Sequence, residues 1–145
     1  MTPERRAELE AAYCATIYRA GGFVLRVGDP SPILEPWAFL TACNPMSETL
    51  PDEENAARMK ELRRDLATYE VYGGEGASPD GRWREPSILV INITEADAHE
   101  LALKHGQAAF LFGERGGSAR LVWVTPPPGA PCCRRTPSPA PPSGP

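Results

Sequence analysis

No run of about 18 apolar residues occurs in the chain, and a helix needs that length to cross a bilayer, so a spanning helix is excluded. The N-terminus, MTPERRAELE, has a charged, helical pattern and lacks the apolar core of a signal peptide. Cytoplasm is the expected compartment. Excess basic charge is missing too: Lys and Arg number 15 against 19 Asp and Glu, a net charge of -4. Nucleic acid demands a basic footprint, so the balance argues against that partner and leaves room for a small anion held by backbone amides. Histidine is confined to His99 and His105. With no two spaced ligand pairs, neither a metal nor a cofactor is expected. Cys14 lies in a helix pattern, Cys43 in a strand pattern, and Cys132 and Cys133 are neighbours. All four read as free thiols of a reducing compartment.

What is present is enough for one α+β domain. At 145 residues the chain can bury a real core. More than half of its 17 prolines follow Val124. Residues 1–124 therefore read as the domain, and 125–145 as a disordered tail rich in Pro, Ser and Gly.

Along the body, Pro3 to Ala20 carries helical spacing (Leu9, Ala12, Tyr13, Ile17, Ala20), with Gly21-Gly22 as its stop. Phe23–Val27 reads as a strand, followed by a turn cluster to Pro32. Trp37–Cys43 is apolar on both faces and reads as a central strand. Asn44-Pro45 turns the chain, and Ser47 or Asp52 can cap a helix over about 51–68. Asn55, Met59, Leu62, Leu66 and Tyr69 form its apolar stripe, and Arg58 falls on its charged face. Tyr69–Tyr72 reads as a strand, Gly73–Gly81 as a flexible loop without the lysine of a P-loop, and Ser87–Ile93 as the clearest strand. Thr94 caps a helix with Asp97 three residues on, Gly106 ends it, and Gln107–Phe112 and Ala119–Val124 are the last strands.

That order predicts a ferredoxin-like, split-βαβ sandwich with an added N-terminal helix and strand and one extra C-terminal strand. Crossover handedness is taken to set FLTACN and SILVINI parallel and adjacent, with both helices on one face. Thr41, Asn44, Asn55, Thr94 and Gln107 then converge at one sheet edge beside two helix N-termini, a setting for an anion or carbonyl. The glycine-rich loop falls at the opposite edge. Asn55, an amide inside an apolar stripe, needs hydrogen-bond partners.

The segment TACNP, the spaced Asn55 and GQAA around Gln107 resemble a bacterial family known as domain of unknown function 3293. Tyr13, Tyr18, Pro30-Ser31-Pro32, Gly73, Glu85-Pro86-Ser87 and Ala109 extend the resemblance from about Tyr13 to Val122. Cys43 stands where an aromatic residue is expected. The resemblance implies membership and no mechanism. Two functions fit these residues. In the first, the chain is a non-catalytic binding or regulatory module, and the amides form a structural polar network around the TACNP turn. In the second, Thr41, Asn44, Asn55 and Gln107 line a pocket for a small polar ligand, with Glu48 or Glu85 as acid or base. Cys43 reads as a buried inert thiol, and no nucleophile–base pair can be named.

Overall fold

The computed structural model describes residues 2–124; the segment read as a disordered tail lies outside the described residues. Three helices and seven strands occur in the order α1 (Pro3–Ala15), β1 (Ile17–Ala20), β2 (Phe23–Leu25), β3 (Trp37–Leu40), α2 (Asp52–Asp65), β4 (Glu70–Ala77), β5 (Arg84–Ile91), α3 (Glu95–Lys104), β6 (Ala109–Gly113) and β7 (Arg120–Trp123). The strands form one curled antiparallel sheet, ordered β2-β1-β4-β5-β3-β6-β7. No described helix is long and apolar enough to cross a membrane.

Both faces of the sheet are covered. On one, Met59, Leu62 and Leu66 of the α2 stripe and Ala98 and Ala102 of α3 pack against Ala38, Leu40, Ile88, Val90, Phe110 and Phe112. The two helices therefore share a face, as the element order predicts. On the other face Trp37, Phe39, Leu89, Ile91 and Leu111 meet Tyr18, Ala20 and Leu25, which the curl brings over them. Residues on both faces of β3 are thus buried, and its alternation disappears.

The first helix is shorter than its spacing suggests. Thr16 is extended at its end (φ -71, ψ 142) and its hydroxyl donates to the Ala12 carbonyl. Ile17–Ala20 then forms β1, a strand hidden under the helical pattern. Gly21 and Gly22, at φ +58 and +85, form a two-residue hairpin to β2, with Ala20 opposite Phe23. They turn a strand and do not stop a helix.

The glycine-rich segment is also largely strand. β4 runs through Gly73, Gly74 and Gly76, and only 78–83 forms the loop. The cause is close approach: a Cβ at Gly74 would lie 2.0 Å from the Arg19 carbonyl oxygen and 2.5 Å from Ala20 Cβ. Glycine lets β1 fold in over the sheet there.

β3 and β5 are adjacent but antiparallel, with Trp37 opposite Ile91 and Leu40 opposite Ile88. The parallel expectation fails for a connectivity reason. The α2 crossover joins β3 to β4, two strands away and running the same way, and the 78–83 hairpin reverses the chain into β5. The C-terminal ends of FLTACN and SILVINI consequently lie at opposite edges of the sheet. This single reversal decides what meets what below.

Gly74→Ala is expected to cost about 2–4 kcal/mol, because backbone and not a mobile side chain fills the space. Gly22→Ala has nothing within 4 Å and a φ of +85, and should cost about 1 kcal/mol. Urea unfolding of the two variants measures the difference.

Candidate functional site

The edge in question holds the end of β3, the start of β5, the 78–83 loop, the start of β6, the end of α1 and the beginning of α2. Its centre is the turn after β3. Asn44 is left-handed (φ 47, ψ 63), a conformation that asparagine tolerates better than most residues. Its amide N–H donates to Asn55 Oδ1 at 2.9 Å, and its Oδ1 accepts from Asn55 Nδ2 at 2.9 Å and from the Leu50 N–H at 3.0 Å. Asn55 Nδ2 also donates to the Leu50 carbonyl. The polar residue in the α2 stripe is thus fully engaged, tying the first turns of the helix to the loop that feeds it. The helix itself begins after Pro51 with no side-chain cap, because Asn55 takes over the task of fixing the entry.

The turn is clamped from other sides. Thr41 Oγ1 donates to the Pro86 carbonyl of β5 at 2.8 Å and accepts from the Cys43 N–H at 3.1 Å. Gln107 Nε2 donates to the carbonyls of Cys43 (3.0 Å) and His105 (3.3 Å). Arg58 was read as part of a solvated face. Instead its Nε donates to the Ala42 carbonyl at 2.6 Å and its Nη2 to the His105 carbonyl. The last turn of α3 docks on the same place: the Met46 N–H donates to the Gly106 carbonyl, and a Cβ at Gly106 would meet Pro45 at 2.9 Å.

Four of the five residues expected to converge do so: Thr41, Asn44, Asn55 and Gln107. Thr94 does not. It caps α3, accepting from the Asp97 N–H at 3.1 Å, at the far edge where β5 ends. With it goes the second helix N-terminus; this edge receives the C-terminal end of α3 instead. The loop expected over Gly73–Gly81 at the opposite edge is confined to 78–83 and lies at the site, because β4 ends beside the start of β5.

Beside this clamp opens a cleft of about 380 Å³. Leu9, Ala12 and Tyr13 of α1 form one wall and Pro79 and Trp83 of the loop another; Asn44, Glu85 and Gln107 are also in its lining, with Arg5 among the exposed residues. A recess of about 30 Å³ continues inward toward Tyr18, Phe39 and Leu111. Tyr13, Trp83, Glu85 and Gln107 line both spaces. Trp83, just past the glycine-rich segment, carries no signal in the sequence that marks it as a wall of the site. Glu48 does not line the cleft.

Glu85 is the chemically distinctive group. Its Oε2 accepts from Asn44 Nδ2 at 2.9 Å. Burial pushes its carboxyl from the ordinary 4.5 up to about 7, only partly opposed by the Asn44 hydrogen bond. Glu85 therefore exchanges a proton near neutrality. Cys43 is buried, its thiol pushed up by burial, which disfavours the thiolate. His105 is buried against Asp65 at 2.8 Å, behind the sheet. No cluster of three metal-ligating side chains occurs among the described residues.

Asn55→Ala strands the Asn44 N–H and the Leu50 carbonyl, so it should lower stability by about 1–3 kcal/mol in urea unfolding. Glu85 makes a pH prediction with a definite sign. Its folded value lies above its unfolded one, so the unfolded chain ionises first, and stability falls as pH rises from about 4.5 to about 7. Above that window the term is constant. Glu85→Gln should remove this slope, and the difference between the two stability–pH curves reads it directly.

No curated protein and no solved structure matches the chain. The profile of one family does match, over residues 40–110. That span carries Thr41, Asn44, Asn55, Glu85 and Gln107 and omits the α1 wall of the cleft. Over it, the chain resembles the family described as Protein of unknown function (DUF3293).

Proposed function

We propose that the chain is a small-molecule-binding module whose site is the cleft between α1, the 78–83 loop and the TACNP turn, with Glu85 as its polar anchor. The observation that carries this reading is a proton-exchanging carboxyl held by Asn44 at the junction of a cleft and its inner recess. Concave, mostly apolar spaces with a few convergent polar groups are the usual form of a ligand site. The two functions expected from the sequence merge here. Asn44 and Asn55 serve as a structural network, and the free end of that network, Asn44 Nδ2, presents Glu85.

Binding is favoured over nucleophilic catalysis because burial holds the Cys43 thiol protonated and His105 is committed to Asp65. The order β4-β5-β3-β6, with α2 and α3 on one face, supports the split-βαβ reading of the sheet's centre. On that reading α1, β1 and the curl are additions that roof the cleft.

A thermal-shift screen of the full chain against a metabolite library tests the proposal, with Glu85→Gln and Trp83→Ala alongside. A ligand present at 100 times its Kd adds about 2.7 kcal/mol, a shift of several degrees. Compounds that stabilise the wild type should lose most of that shift in both variants. Equal shifts in all three proteins, or no shift with any compound, would overturn the reading.

A further inference from the structure

Two of the groups that meet at the junction of cleft and recess, Glu85 and Gln107, carry oxygens that accept hydrogen bonds. Glu85 engages Oε2 with Asn44, while among the described residues no cation forms an ion pair with this carboxylate. Gln107 is more than nine-tenths buried, and both of its side-chain bonds leave from Nε2. Those two carbonyl partners fix the amide orientation, so the oxygen is on the opposite side of the group and takes part in neither bond. Two side chains with acceptor oxygens, one of them a partly desolvated carboxyl, thus belong to the lining of one small space. A buried charge without a partner is costly, and an incoming cation would offset that cost.

We propose that the cleft takes a small organic cation, a protonated primary or secondary amine, whose N–H groups are received by the Glu85 carboxylate and the Gln107 amide oxygen. This rests on the cleft being the binding site. The inner recess, about 30 Å³, suits a single ammonium head, which is close to a water molecule in size. Tyr13 and Trp83 flank the junction, and aromatic rings are favourable neighbours for a desolvated cation. A carboxylate or phosphate ligand would face Glu85 across the recess and be repelled. A neutral ligand would leave the charge uncompensated.

Other charges around Glu85 do not alter the assignment. Arg5 belongs to the exposed first turns of α1, where solvent screens it. Arg58 is engaged with the carbonyls of Ala42 and His105. Tyr18 and Cys43 are both held neutral by burial. Cation binding favours ionised Glu85, so affinity should rise between pH 6 and pH 8 as the carboxyl loses its proton, provided the amine stays charged.

The test is calorimetric titration of the full chain with primary amines from ethylamine to tryptamine, each paired with the alcohol of the same carbon skeleton. Amines should bind at least about tenfold more tightly than their alcohols, more tightly at pH 8 than at pH 6, and lose that preference in Glu85→Gln. The glutamine retains the shape and, through its carbonyl, the acceptor for Asn44. Amines and alcohols binding alike would overturn the cation assignment and leave the cleft in place. Binding by neither set, with no hit in the metabolite screen, would remove both. An amine preference that persists in Glu85→Gln would place the cation elsewhere and overturn the assignment.

Discussion

Two asparagine side chains, from residues 11 apart in sequence, hold the site edge together. Asn44 and Asn55 exchange hydrogen bonds in both directions, backbone to side chain and side chain to side chain, and close around Leu50. A left-handed residue, a proline and a second left-handed residue, Met46 at φ 52, follow one another at this turn. Such a backbone persists only where its surroundings over-determine it. The amide pair, Gln107, Arg58 and Thr41 supply that constraint from α2, the α3–β6 connection and β5. One of the two N–H groups of the Asn44 side-chain amide donates to Glu85.

The curl of the sheet is the second condition. Without glycine at 74, β1 could not pass so close to β4, and Tyr18 would not lie over Phe39, at a ring separation of 5.2 Å. The curl covers the second face of the sheet and leaves an open mouth at the edge. There α1 forms a wall with little buried surface of its own, Leu9 being its one buried residue. Tyr13 edge-on to Trp123, and the Arg6 guanidinium 4.4 Å from the Trp123 ring centroid, set the helix against β7. The cleft therefore depends on elements far apart in the chain, with one wall formed by α1.

Elements whose signals are local could be read directly from the amino-acid order. The α2 stripe, the apolar β3 and β5 strands, the Thr94 cap, the Gly106 stop and the demand of Asn55 for partners all follow from spacing and side-chain chemistry within a few residues. The existence of a clamp at TACNP was legible for the same reason, since an amide in an apolar stripe must be satisfied. Local pattern failed where two conformations share it. Ile17–Ala20 continues the spacing of a helix, and the hairpin at Gly21-Gly22 makes it a strand. Gly73–Ala77 has the composition of a loop, and the passage of β1 makes it a strand.

Which ends of the strands meet depends instead on how distant segments pack. One reversal, the 78–83 hairpin between β4 and β5, sends SILVINI antiparallel to FLTACN. It removes Thr94 from the site, brings in Trp83, and sets Glu85, one of the two candidate carboxylates, beside Asn44. Whether a carboxyl is ordinary or titrates near neutrality is likewise a matter of burial, and burial is a property of what surrounds it. Glu85 carries no unusual signal in its own segment. Its raised pKa comes from desolvation by the surrounding fold, which the Asn44 hydrogen bond only partly opposes.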